Sequence, residues 1–184
     1  MIYLEKRFIE EENEKFRREI LFKEIDLIEA CITRMANNSF LIKGWTAAIV
    51  SALLAIMEQK DNMPYGSVIA LIVVAVFWYL DAYYLDLERL YRYKFNWVVK
   101  NRLQSNEFIF DLNPYMNVEK NRKDSYTVRW DVVFSKTLEL FYGSITFILS
   151  ISIFFSNMLF FAKLIVFIYL VALIYLMKQN WGMM

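Results

Sequence analysis

The stretch "WYLDAYYLDLERLYRYK", Trp78 to Lys94, decides the fold because it joins an apolar run to a charged one without Pro or Gly. An acidic residue, Asp81, stands near the end of a run that is long enough to cross a bilayer, which needs about 20 apolar residues. The unbroken pattern predicts one helix that spans a membrane and continues outside it, to about residue 103.

Four apolar runs occur along the chain, at about 39–57, 66–85, 138–156 and 159–177. The connections within each pair are short, so neighbouring spans are expected to be antiparallel. A hydrophobic fraction of 58% with 4 Gly and 2 Pro favours long helices over turns. The sequence therefore predicts an all-α membrane protein, with four transmembrane helices as two hairpins and with cytoplasmic helical extensions.

Four segments follow from this pattern. We expect an N-terminal cytoplasmic amphipathic helix, a first transmembrane hairpin, a cytoplasmic helical extension with a basic loop, and a second hairpin with a short cytoplasmic tail. They cover residues 1–37, 38–85, 86–137 and 138–184, in that order. Helical spacing predicts one apolar stripe at Leu21, Ile25, Ile28, Ile32 and Met35, and another at Leu80, Tyr84, Leu87, Tyr91, Phe95 and Val98. Residues 104–127, which contain Asn-Pro, are predicted to form loops.

Lysine and arginine set the expected orientation. Of the 21 in the chain, seven lie in residues 1–37 and ten in residues 86–137. Short loops rich in these residues stay in the cytoplasm. Both termini and the middle segment are therefore predicted to be cytoplasmic.

Two opposite charges lie inside apolar runs, Lys43 in the first and Asp81 in the second. The two spans run in opposite directions, so both charges should lie at similar depth and pair with each other, because an isolated charge there is costly. The pair could fix helix register or form part of a gate, or each charge could reach the interface separately. Glu139, at the start of the third run, could join the same polar layer.

The third run has small and polar residues on one face: Gly143, Thr146, Ser150 and Asn157. Such a stripe is typical of close helix packing and also of a water-filled path. Both interpretations remain open from the sequence.

Basic residues beside aromatic ones form two groups in the middle segment. Their cationic members, as candidates for ligand binding, are Arg89, Arg92, Lys120, Arg122, Lys123 and Arg129. Guanidinium and ammonium groups near stackable rings suit phosphates and nucleobases. The same residues would also serve membrane topology and contact with anionic lipids.

Catalytic chemistry has little support. The chain has no His and one Cys, Cys31, so His-based triads, most zinc sites and an internal disulfide are excluded. No Gly-rich phosphate loop or metal-spaced carboxylate cluster occurs. We expect no enzyme, no cofactor and no metal site.

Three strings resemble a known family: "NSFLIKGWTAAIVSALLAI" from Asn38, "FWYLDAYYLDLERLYR" from Phe77 and "SKTLELFYGS" from Ser135. They are similar to four-span bacterial membrane effectors of anti-phage defence, of the kind found in the Hailong system. The resemblance covers mainly residues 38–92 and 135–144. It implies an oligomeric ion channel or membrane-disrupting effector in the bacterial inner membrane. Control would come from the cytoplasm, through a nucleotide or short oligonucleotide made by a nucleotidyltransferase-type partner.

The expected function is therefore that of a ligand-controlled, homo-oligomeric channel or membrane-disrupting effector. The alternative is a membrane anchor or scaffold that recruits a soluble partner through its N-terminal helix and middle segment. A small transporter is disfavoured, because the apolar runs lack the central Pro or Gly breaks that many transporters use.

Overall fold

Long helices make up the computed structural model, which describes residues 2–58, 63–115, 129–154 and 160–181. Their bounds are α1 Ile2–Glu58, α2 Met63–Asn101, α3 Trp130–Val133, α4 Lys136–Phe154 and α5 Phe160–Trp181. Every regular element in the described ranges is a helix, which confirms the all-α class there. Helices α1, α2 and α4 are each long and apolar enough to cross a membrane. The fourth span stays a prediction; the apolar stretch found in α5 is Val166–Tyr175.

Helix α1 is continuous over 57 residues. The predicted N-terminal helix and the predicted first span are therefore one element, because no Pro or Gly interrupts the backbone hydrogen bonds between them. Helix α2 is also continuous and ends at Asn101, close to the predicted end. Loops were predicted for residues 104–127, and residues 104–115 do form turns and irregular chain. The rest of that prediction, residues 116–127, lies outside the described residues.

The chain divides into two compact units. Unit 1 contains Met1–Asn37 and Asp86–Tyr126, and unit 2 contains Asn38–Leu85 and Thr127–Met184. Both α1 and α2 contribute residues to each unit.

The core of unit 2 is apolar and aromatic. Its buried members are Val50, Ala70, Val74, Trp78, Ala82, Val132, Phe134, Leu138, Tyr142 and Leu149. Helices α1 and α2 approach closely at Gly66, where an added Cβ would lie 2.6 Å from Cγ of Met57. Many large apolar side chains of this unit remain exposed, for example Phe40 at 76% and Leu140 at 77%. An apolar exterior of this kind suits a lipid environment.

The buried stripes of unit 1 differ from the predicted ones. Ile28, Met35, Tyr91 and Val98 are buried as expected. Leu21, Ile25, Ile32, Leu87 and Phe95 are only half-buried, and of the two stripe residues in unit 2, Tyr84 is half-buried and Leu80 is exposed. Charged residues take part in the buried faces instead: Glu24 on α1, Asp86 and Lys94 on α2, and Arg102 just after it. Apolar periodicity could not find Glu24, Lys94 and Arg102, because each contacts the loop after α2.

Arg102 connects α1 to the loop that follows α2 in unit 1. Its side chain is 2% exposed and forms an ion pair with Glu24, which is 4% exposed. Its Nη1 donates to the carbonyl oxygens of Ser105 and Glu107 at 3.0 and 2.7 Å, and its Nη2 donates to that of Phe108 at 3.3 Å. The Glu24 carboxylate also accepts the N–H of Phe110 at 2.7 Å. The pair thus stabilises both the end of α2 and the loop that follows.

Two loop residues adopt positive φ angles, 54° at Phe108 and 56° at Phe110. Bulky side chains rarely occupy this region, and such strain persists only where surrounding contacts impose it. Arg102 and Glu24 supply those contacts.

Lys94 contacts the C-terminal part of the same loop. Its Nζ donates to the carbonyl oxygen of Asn113 at 2.9 Å and lies 3.8 Å from Oδ2 of Asp111. Burial lowers the pKa of Lys94, and the nearby carboxylates of Asp111 and Glu24 oppose this shift. The hydroxyl of Tyr91 donates to the carbonyl oxygen of Leu112 at 3.2 Å.

We expect Arg102→Met to destabilise the loop strongly, because it leaves Glu24 buried without its cation, a change that costs about 3–5 kcal/mol. Limited proteolysis should then cut within residues 103–115 far faster than in the wild type. The matched control is Arg92→Met, which breaks an i,i+4 pair with Glu88 in which Arg92 is 62% exposed. That control should change cleavage little, since exposed pairs contribute about 0–1 kcal/mol. Equal protection in both variants would contradict this role of Arg102.

Candidate functional site

Asp81 is fully buried in unit 2, with a side-chain exposure of 0%. Lys43 Nζ lies 2.6 Å from its Oδ2, so the predicted ion pair is confirmed. Ser39 Oγ donates to Oδ1 at 2.5 Å, and the Tyr142 hydroxyl donates to Oδ2 at 3.0 Å. Lys43 Nζ also donates to Ser39 Oγ at 2.9 Å. We call these four side chains the Asp81 cluster.

Helical spacing explains how three helices supply the Asp81 cluster. Ser39 and Lys43 are four residues apart on α1, so both side chains lie on one face. Asp81 comes from α2 and Tyr142 from α4. Sequence reasoning found the two charges because they interrupt apolar runs. It missed the hydroxyls of Ser39 and Tyr142, which are common in helices and carry no signal of their own.

Trp78, one turn before Asp81, fixes the position of Tyr142. The two rings stack with centroids 5.6 Å apart and an interplanar angle of 12°. The indole Nε1 donates to the carbonyl oxygen of Val133 at 2.8 Å, which joins α3 to α2. Tyr142 is therefore held by packing as well as by its hydrogen bond to Asp81.

The cluster is asymmetric in its access to solvent. The Lys43 side chain is 26% exposed, whereas Asp81 is completely covered. A buried carboxylate needs paired charge and hydrogen bonds, and Asp81 accepts both from its three partners. The arrangement keeps one charged carboxylate inside an apolar bundle. Asp81 loses its paired cation only if Lys43 moves away.

Glu139 is buried, at 7% exposure, in the first turn of α4. A carboxylate is favoured there by the helix dipole. It lies one turn before Tyr142 and lines a groove of about 570 Å³ between α4 and α5, together with Lys136, Gly143 and Thr146.

The polar stripe of α4 lies in two environments. Thr146 and Ser150 are buried, at 1% and 3% exposure, and Ser150 Oγ donates to the carbonyl oxygen of Thr146 at 2.7 Å. Gly143 is half-buried, and an added Cβ would meet nothing within 4 Å. Within one chain, therefore, Gly143 does not serve a close helix contact. Asn157 lies outside the described residues.

The basic candidates are only partly described. Arg89 and Arg92 belong to unit 1 and Arg129 to unit 2. Arg92 Nη2 lies 2.7 Å from Glu88, and Arg129 Nε lies 2.9 Å from Asp131, so carboxylates partly neutralise both. Lys120, Arg122 and Lys123 lie outside the described residues. In the part of the chain that the structure describes, no three His, Cys, Asp or Glu residues form a group that could hold a metal ion.

The Asp81 cluster predicts a graded series of variants. Lys43→Ala should impair assembly most, because it leaves the fully buried Asp81 carboxylate without its cation at a cost of about 3–5 kcal/mol. Asp81→Ala should cost less, because the Lys43 left behind is 26% exposed. Tyr142→Phe removes one hydrogen bond to a charged group, and Ser39→Ala removes two, one to Asp81 and one from Lys43. Each lost bond should cost about 1.5–3 kcal/mol. The measurement is thermal unfolding of the detergent-purified protein.

Ser144→Ala is the matched control, since the Ser144 hydroxyl is exposed and bonds only to the carbonyl oxygen of Phe141 among described contacts. The exchange of Lys43→Asp with Asp81→Lys should recover part of the lost stability. A double variant no more stable than either single alanine would show that the two charges do not stabilise each other.

Comparison with known proteins adds no relative: no family model, curated protein or solved structure matches this chain. The function must therefore be argued from the helices and the Asp81 cluster themselves.

Proposed function

We propose that this protein is an oligomeric ion channel or membrane-disrupting effector of a bacterial anti-phage defence system. The observation that carries the proposal is the Asp81 cluster, a complete ion pair within helices whose outer surfaces are apolar. Ionisable residues inside membrane helices are costly and typically mark ion pathways or gates. A protein that served only as an anchor would use such a cluster only to fix the register of its helices.

The cluster supplies a simple closed state. Lys43 and Asp81 neutralise each other, and Ser39 and Tyr142 saturate the carboxylate, so no charge is free to attract an ion. Opening would separate Lys43 from Asp81 and expose both to water. The partial exposure of Lys43 makes it the side chain that moves first.

A conducting path would form between copies. The hydroxyls and charges of the Asp81 cluster are satisfied within one chain, and Gly143 borders open space beside the groove of α4 and α5. Small residues that have no close contact in a single chain suit helix contacts between chains. We propose a homo-oligomer with cyclic symmetry.

Control would come from the cytoplasm, where we place both termini and the middle segment. The proposed ligand is a nucleotide or short oligonucleotide from a nucleotidyltransferase-type enzyme, bound by the basic candidates. Arg89 supports this best among the described ones, because no contact in the described chain neutralises it. It lies on α2, the helix that also carries Asp81. Phosphate binding there would act on the same helix that holds the closed pair.

The alternative function is a membrane anchor or scaffold for a soluble partner. A groove in unit 1 favours it, lined by Phe16, Ile20, Leu103 and Ile109. Apolar side chains exposed outside a membrane usually mark a protein contact. The two functions differ in conductance, since an anchor conducts nothing.

Conductance is the direct test. Purified protein in planar bilayers should show discrete currents, and Asp81→Asn should raise the open fraction. If loss of the pair removes about 3 kcal/mol from the closed state, the open-to-closed ratio rises about a hundredfold. The control is Ser51→Ala, an exposed serine of α1 that does not line the groove of α4 and α5, with wild-type behaviour expected. Bilayers that stay silent with wild-type protein of confirmed oligomeric mass would favour the anchor.

Ligand control is tested by charge reversal. We expect Arg122→Glu with Lys123→Glu, and separately Arg89→Glu with Arg92→Glu, to change toxicity on expression and its response to the signal-producing enzyme. Binding of labelled oligonucleotide should also weaken with added salt, as counterions compete for phosphates. The control pair is Lys15→Glu with Lys23→Glu, both exposed on α1. Unchanged toxicity and control in both test pairs, with normal assembly, would leave these residues only a topological role.

A further inference from the structure

An unfilled groove lies in unit 1 between α1 and the loop after α2. Its volume is about 580 Å³, and Phe16, Leu103 and Ile109 line it while remaining 61%, 49% and 36% exposed. Helix α1 extends far beyond the end of α2 here, because its Glu24 already pairs with Arg102, one residue past Asn101. The residues of α1 before Glu24 therefore have only the loop as a neighbour in the described part of unit 1.

Hydrogen bonds hold the groove on two sides. Arg17 Nη1 donates to the carbonyl oxygen of Leu103 at 2.9 Å, which ties α1 to the loop. Arg102 and Glu24 hold the loop backbone on its other side. An apolar surface that is fixed before binding needs little ordering when a partner docks.

The charge around the groove is negative. Glu10 lines it, and Glu107 lies between the lining residues Asn106 and Ile109. Neither carboxylate has a cationic partner among the described contacts. Glu14 also lines the groove and pairs with Arg18, whereas Arg17 keeps its positive charge while it donates to the carbonyl oxygen of Leu103, so two acids and one cation line the groove. An anionic lipid surface would be repelled by these acids, and an occupant with apolar and cationic side chains would be attracted.

The same chain presents such a surface. Tyr93, Asn96 and Lys100, all exposed, follow one another at helical spacing on α2. Tyr93 is 60% exposed and Lys100 is exposed, and Val99 beside them is 46% exposed. This outward face of α2 opposes the buried face of Leu90, Lys94 and Val98. Its aromatic and cationic residues are complementary to the acidic, apolar groove.

We propose that the unit 1 groove binds the outward α2 face of a second copy of this chain. Because the groove and the face are different surfaces, the contact is heterologous, and repetition of it produces a ring if the rotation closes. Tyr93 would enter the apolar floor, and Lys100 would approach Glu10 or Glu107. The inference rests on the proposed homo-oligomer and names the surface that builds it.

Thiol cross-linking between copies tests the contact. In a Cys31→Ala background, Ile109→Cys is placed in the groove and Val99→Cys on the outward face, at two exposed sites. A short bismaleimide is then applied to the protein in lipid nanodiscs or detergent. The chain with both cysteines should yield a ladder of covalent oligomers. Differently tagged single-cysteine chains, expressed together, should yield only the mixed dimer.

Charge reversal supplies a second readout. Glu10→Lys or Lys100→Glu should lower the cross-link yield about two- to fivefold, as expected for one partly exposed pair. The two together should restore part of the yield. Glu12→Lys is the matched control, because Glu12 is exposed and does not line the groove.

Native mass spectrometry separates the possible failures. An oligomer without the ladder overturns this interface and leaves the proposed oligomer standing. Cross-linking of the Ile109→Cys chain alone, as strong as that of the mixture, means a loop-to-loop contact and also overturns it. A monomer under all conditions removes both this interface and the oligomeric channel.

Discussion

The burial of Asp81 is the constraint on which unit 2 depends. A carboxylate with 0% exposure is tolerated only where charge and hydrogen bonds compensate it, and here three helices must meet to supply them. Lys43 and Ser39 fix α1 against α2, and Tyr142 fixes α4 against both. Any rearrangement of these helices must either keep the Asp81 carboxylate paired or expose it to water. The cluster therefore links the three helices, and in the channel that we propose it would also be the place for the gate.

Unit 1 also contains a buried ion pair, but its hydrogen-bond partners are of a different kind. Arg102 and Glu24 are buried together, but the partners that complete them are backbone carbonyls and an N–H of one loop. The result is a loop with two strained residues, Phe108 and Phe110, and an apolar groove beside it. A buried ion pair is not by itself a source of stability. Here it determines the conformation of chain that has no regular structure.

The sequence predicts helices and the first ion pair well, for physical reasons. Long apolar runs with few Gly and no Pro have few alternatives to helix, and a charge within such a run is conspicuous. Glu24 is different, because it resembles Glu19 and Glu29 in a chain with 20 acidic and 21 basic residues. Only the loop distinguishes it, through contacts 78 and 86 positions away along the chain. The role of the Tyr142 hydroxyl is equally hard to predict from the sequence, since it depends on packing among three helices.

The order of the charges along the chain has a consequence for biosynthesis. Asp81 follows Ser39 by 42 residues, whereas Arg102 follows Glu24 by 78 and Tyr142 follows Asp81 by 61. At about 5–20 residues per second, Glu24 leaves the ribosome roughly 4–16 s before its cation exists. It must remain hydrated during that time. Asp81, by contrast, is synthesised after Lys43 and Ser39, so its counter-ion already exists when its own helix forms. Asp81, the carboxylate that would be most costly in lipid, is thus synthesised after its counter-ion.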